Sequence, residues 1–184
     1  KQTATGKYLA LACACAALVD ISYLISILTD SHLCMSVMSS VYFVTIDFML
    51  LGLLAFTLHF IKGRFSKTTR RLMILGNVYA LFELVVFALN PFLGIAVDYI
   101  PRNTEIARYA YQMKPLYISH LVFSYVLVGT VIFLLVWKLC QVPREYRNQY
   151  LFVIAGILAI VAVNAVFLFC HSDAIWVLVD DCIC

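Results

Sequence analysis

Five long apolar runs constrain this chain more than any other feature: about Tyr8–Leu28, Cys34–Ile61, Arg71–Leu89, Pro115–Lys138 and Asn148–Cys170. A helix crosses the hydrocarbon layer of a bilayer in about 20 apolar residues, so each run can span it. Each must be helical, because backbone in hydrocarbon has to satisfy its own hydrogen bonds. A β-barrel is excluded, since its strands would show about ten alternating residues rather than continuous runs. Composition agrees: 64% of residues are hydrophobic and 12% charged, against roughly 45–50% and 25% in a soluble domain. That excludes the ordinary soluble classes, a disordered chain and a nucleic-acid binder. The expectation is a single all-α integral membrane domain over residues 1–184, with five transmembrane helices and the bilayer as partner.

The first run is no secretory signal peptide, being too long and carrying Asp20 inside it. The chain opens without a methionine and closes on Asp180-Asp181-Cys182-Ile183-Cys184, which reads as a fragment of a longer protein. Orientation follows from basic residues in short loops. Lys1, Lys7, Lys62, Arg64, Lys67, Arg70, Arg71, Lys138, Arg144 and Arg147 fall on one side, ten of the 13 basic residues. That side is expected to be cytoplasmic, with Cys184 outside. The stretch between the second and third runs also has the composition of a surface that meets anionic headgroups.

The one long connection, about Asn90–Lys114, lies on the other side. Asn90-Pro91 is expected to end the third helix, because the residue before proline disfavours helical geometry. Gly94–Ile100 and Ile106–Met113 are rich in β-formers and flank a Pro/Asn turn, predicting an extracytoplasmic β-hairpin.

Three acids, Asp20, Asp47 and Glu83, sit near the middle of their runs. An ionised side chain there costs roughly 2.5–3.5 kcal/mol, so such residues face the bundle interior. Tyr79, Glu83 and Asn90 share one face of the third helix, and Tyr117, His120 and Ser124 share one face of the fourth. The second helix adds Ser36, Ser40, Phe43 and Asp47, the first Asp20, Tyr23 and Ser26, and the fifth Asn164. The simplest arrangement is a polar pocket opening outward, in which Tyr79, Glu83, Asn90, Tyr117, His120 and Ser124 contact an unknown small molecule. Asp20, Asp47 and Asn164 are expected as buried polar groups. The competing interpretation is a set of separate interhelical hydrogen bonds, each worth about 0.6 kcal/mol.

His59 and His120 lie at opposite ends of their helices and cannot ligate one haem. His32 and His171, near Asp30 and Asp173, carry no metal spacing signature, so neither metal nor cofactor is assigned. Seven cysteines in mixed positions form no disulfide framework, although Cys34 and Cys170 both fall at outer helix ends. No HExxH, GxSxG, P-loop or GxGxxG motif occurs, so the region itself is expected to be non-catalytic.

The run Pro115-Leu116-Tyr117-Ile118-Ser119-His120, a long apolar helix, then Gln141-Val142-Pro143-Arg144-Glu145-Tyr146-Arg147-Asn148-Gln149-Tyr150 and a further apolar helix resembles the seven-helix N-terminal sensor region of bacterial histidine kinases. A similar region precedes GGDEF diguanylate cyclase domains. Asn90-Pro91-Phe92 with its aromatic hairpin, and the second and third helices joined by a basic loop, fit the same pattern. The resemblance implies that the five helices are the family's second to sixth. It also implies a multi-pass location in the bacterial inner membrane, a cytoplasmic output domain and a homodimer as a compatible assembly. Its ligands transfer no binding residues by motif. The alternative is a small transporter or channel subunit using the mid-membrane acids as coupling groups.

Overall fold

The computed structural model describes residues 4–62, 66–101 and 109–171. Five helices appear where the apolar runs predict them: α1 (Ala4–Leu28), α2 (His32–Lys62), α3 (Lys67–Leu93), α4 (Pro115–Leu139) and α5 (Arg144–His171). Among the described residues, α1 to α4 are long and apolar enough to cross a bilayer, and α5 carries a shorter apolar stretch, Tyr150–Ala159. The chain divides into two compact units, Lys1–Leu134 and Leu135–Cys184.

In the first unit α2 is the central element. More than half of its apolar stretch is buried, against less than a quarter in α1, α3 and α4. It packs closely on α1 and α3. Small residues permit this: a β-carbon placed on Gly52 would lie 3.5 Å from the Ala12 backbone, and one on Gly76 would lie 2.8 Å from Leu51 Cδ2. Close backbone approach through small residues is how helices associate in lipid, where apolar burial gives no driving force. The buried hydroxyls on α1 do not bridge helices. Ser22 donates to Leu18 and Val19 carbonyls at 2.7 and 3.0 Å, and Ser26 to Tyr23 at 2.7 Å.

Ser66 caps α3, its hydroxyl accepting from the Thr69 amide at 3.2 Å. The helix does not stop at Asn90-Pro91 but runs to Leu93, with Pro91 inside it and Gly94 as the cap at φ 56°. The expected early stop is overridden for two reasons. The Gly94 amide returns to the Asn90 carbonyl at 2.8 Å, and the Asn90 side chain is locked from the other side. Its Oδ1 accepts from the amides of Ala96 and Val97 at 2.7 and 3.0 Å, and its Nδ2 donates to the Val97 carbonyl at 3.1 Å.

The predicted hairpin is present. Strands β1 (Val97–Pro101) and β2 (Tyr109–Met113) pair antiparallel, from Val97 opposite Met113 to Pro101 opposite Tyr109. The turn expected at 101–105 lies, beyond Pro101, outside the described residues. Lys114 ties the hairpin base together, pairing with Asp98 at 2.7 Å and donating to the Gly94 carbonyl. Beneath it Met35, Phe43, Val86, Phe87, Ala96, Val97, Tyr99 and Tyr117 form one apolar core.

The second unit holds the end of α4, the turn and α5. Glu145 sits in the first turn of α5, where the helix dipole favours an acid. Tyr150, Ile154 and Ile157 are its buried side chains among those described, spaced by four and three.

Candidate functional site

The site is built from one residue on each of three helices. Asp47 is halfway along α2, Glu83 lies ten residues before the end of α3, and His120 lies in the second turn of α4. Each is essentially fully buried, at 0%, 2% and 2% exposure. His120 Nδ1 lies 2.8 Å from Glu83 Oε2 and 3.3 Å from Asp47 Oδ1. Ser124, one turn further along α4, donates to Asp47 Oδ1 at 3.4 Å. The second oxygen of each acid, Asp47 Oδ2 and Glu83 Oε1, is buried and accepts no hydrogen bond among the described residues.

Three aromatic rings flank the imidazole of this cluster. Ring centroids of Phe87, Phe43 and Tyr117 lie 5.3, 5.5 and 5.9 Å from that of His120. Phe43 also meets Phe87 and Tyr117, each at 5.1 Å. Excluding water strengthens every electrostatic interaction inside and raises the cost of an unpaired charge. Three ionisable side chains converging in such a place are expensive to keep, and inside a membrane that expense marks function by default.

Of the six residues predicted to line a ligand column, Glu83 and His120 meet directly, Tyr117 walls the imidazole and Ser124 holds Asp47. Tyr79 packs one turn deeper, its ring 4.3 Å from that of Phe123. Asn90 stands apart from the cluster, with its amide committed to the hairpin backbone. Asp47 was expected only as a buried polar group and proves to belong to the cluster. Phe87 carries no polar signal and was not singled out.

Asp20 does not fit its expectation. It is exposed on α1, because Ser22, two residues on and therefore on the opposite side of the helix, takes the buried face. The Asn164 side chain lies outside the described residues. His32 packs edge-on to Tyr99 at 6.2 Å. Cys34 is unbridged.

A cavity of about 450 Å³ opens where α2 begins, α3 ends and the hairpin crosses, lined by His32, Ser36, Asn90, Asp98, Tyr99 and Gln112 among others. Of the predicted column it includes only Asn90. Such a concave space with a few polar groups suits a small molecule. The cluster offers different chemistry: Asp47, Glu83 and His120 each present one ligand atom, all within 4.8 Å of one another.

Residues 1–175 match the family described as the N-terminal 7TM region of histidine kinase. No curated protein matches the chain, and no solved structure does.

Proposed function

The chain belongs to the N-terminal 7TM region of histidine kinases, and from that premise we propose that it senses an extracytoplasmic or membrane signal and relays it, as a change of helix packing, to a cytoplasmic output domain. The observation that carries the reading is the buried contact of Asp47, Glu83 and His120 across α2, α3 and α4. A relay needs an element with two arrangements and a ligand that prefers one. Small residues bind α2 to its neighbours α1 and α3, whereas α4 reaches α2 and α3 through an imidazole, two carboxylates and aromatic rings. Polar contacts of that kind can be made, broken or re-paired without repacking a whole interface.

The hairpin end, with its cavity, is the extracytoplasmic end in this reading, and the loop joining α2 and α3 is cytoplasmic. The ten basic residues on that loop's side support the assignment. The location is then the bacterial inner membrane.

The test is autophosphorylation of the intact kinase in membrane vesicles. A change of about 1 kcal/mol in a packing equilibrium moves populations about fivefold. Glu83→Gln and His120→Ala should each shift basal output by that factor or more, while Asp20→Asn leaves it unchanged. Unaltered output in both cluster variants would refute the relay.

A further inference from the structure

Two carboxylates and an imidazole meet with their ligand atoms within 4.8 Å of one another, in a place closed to bulk water. We propose that Asp47, Glu83 and His120 bind one divalent first-row transition ion, through one oxygen of each acid and Nδ1 of His120. The proposal rests on the sensor reading only in sharing its site, and it names the class of ligand that site takes.

Four observations carry it. The first is the spacing. Metal–ligand bonds of about 2.1 Å place neighbouring ligand atoms about 3.0 Å apart in an octahedron and about 3.4 Å apart in a tetrahedron. The imidazole nitrogen stands 2.8 and 3.3 Å from the two carboxylate oxygens. The second is the unused capacity. Asp47 Oδ2 and Glu83 Oε1 are buried acceptors with no donor among the described residues, and buried acceptors of that kind call for an ion or a proton.

The third is charge. With both acids ionised beside a neutral imidazole the cluster carries two negative charges, which a dication cancels. The fourth is the surroundings. Ser124 holds the Asp47 oxygen, as ligand carboxylates are commonly held by a neighbouring donor. Phe43, Phe87 and Tyr117 flank the imidazole. An oxygen-rich set with one imidazole and no thiolate favours Mn2+, Fe2+ or Zn2+ over Cu+. Binding displaces any proton held between Nδ1 and the acids and releases it to solvent.

The experiment adds Mn2+, without nucleotide, to the purified intact kinase in detergent. Manganese is chosen because it leaves the seven native cysteines alone. Loss of the six-line electron paramagnetic resonance signal of free Mn2+ should saturate at one ion per chain. Electron spin echo modulation should report a directly coordinated nitrogen. The spectroscopic signature is read on the wild-type chain, so it does not depend on any variant folding. Glu83→Gln and His120→Ala should weaken binding at least tenfold, and Asp98→Asn at the hairpin base should not.

Absence of stoichiometric binding, or bound Mn2+ without nitrogen coordination, would overturn the site. Equal affinity in the Asp98 and cluster variants would do the same. Failure here with an altered kinase output in the same variants overturns the metal and leaves the relay standing. Stoichiometric binding with unaltered output overturns the relay and leaves the metal.

Discussion

The seam between α1 and α2 and the junction of α4 with α2 and α3 solve the same problem by opposite means. Both hold helices together where lipid supplies no hydrophobic drive. At the seam, Ala12 and Gly52 bring backbones together, and the α1 hydroxyls at Ser22 and Ser26 are spent on their own helix. At the junction, the backbones stand further apart and the gap is filled by His120, Asp47, Glu83, Phe43 and Tyr117. A tightly packed seam has one good arrangement, because dense packing resists continuous deformation. A charged junction has several, since an imidazole can favour either acid or an ion between them. The difference separates a frame from a moving part.

The largest expected effect comes from breaking the junction outright. Glu83→Lys removes the acid that meets His120 at 2.8 Å and puts a strongly hydrated ammonium in its buried place. Losing one partner of a buried ion pair costs about 3–5 kcal/mol. The thermal midpoint in detergent should fall sharply, whereas Asp20→Lys on the exposed face of α1 should barely move it. Equal losses would mean that Glu83 is not in a dry interior.

The seam is broken by bulk rather than charge. Gly52→Phe forces a ring against the Ala12 backbone, and overpacking of that kind costs about 1–3 kcal/mol. Gly52→Ala should be tolerated, because the added carbon finds ordinary contact distance. If Phe at this position were as stable as Ala, α1 would not be seated on α2 as described.

A smaller effect separates the hairpin from the helices. Asn90→Ala leaves the amides of Ala96 and Val97 and the Val97 carbonyl without their partner, and a stranded buried group costs about 1–3 kcal/mol. Hydrogen exchange should accelerate at Ala96 and Val97 while the α1–α2 seam stays protected. The smallest effect is Asp98→Asn. Its pair with Lys114 is about 40% exposed on each side, at 42% and 36%. Such pairs are worth about 0–1 kcal/mol, and salt screens them. The variant should match wild type within that margin.

Much of this was legible in the chain. Long apolar runs dictate helices because hydrocarbon leaves the backbone no other partner. Alternating β-formers around Pro101 gave the hairpin. Spacings of four and three placed Glu83 and His120 on inward faces of their helices. What spacing could not show is which helices meet: that Asp47 joins the pair depends on α2 lying against both α3 and α4, a fact of packing between distant segments. Asp20 misled for the same reason, since an acid in an apolar run looks buried until the neighbouring small residues claim the other face. Asn90 was legible as polar and inward, but its partners are backbone groups six and seven residues on, and residue identity says nothing of those.

The central claim is that the junction moves and the seam does not. Distances between spin labels test it most directly, in a chain whose native cysteines are replaced. Exposed positions serve as sites: Ile21 on α1, Leu33 on α2, Ile74 on α3 and Val126 on α4. With Glu83→Gln, the Ile74–Val126 distribution should shift or broaden while Ile21–Leu33, across the α1–α2 seam, keeps its wild-type profile. If both distributions stay as in wild type, or both change together, the cluster does not set the position of α4 and the account is wrong.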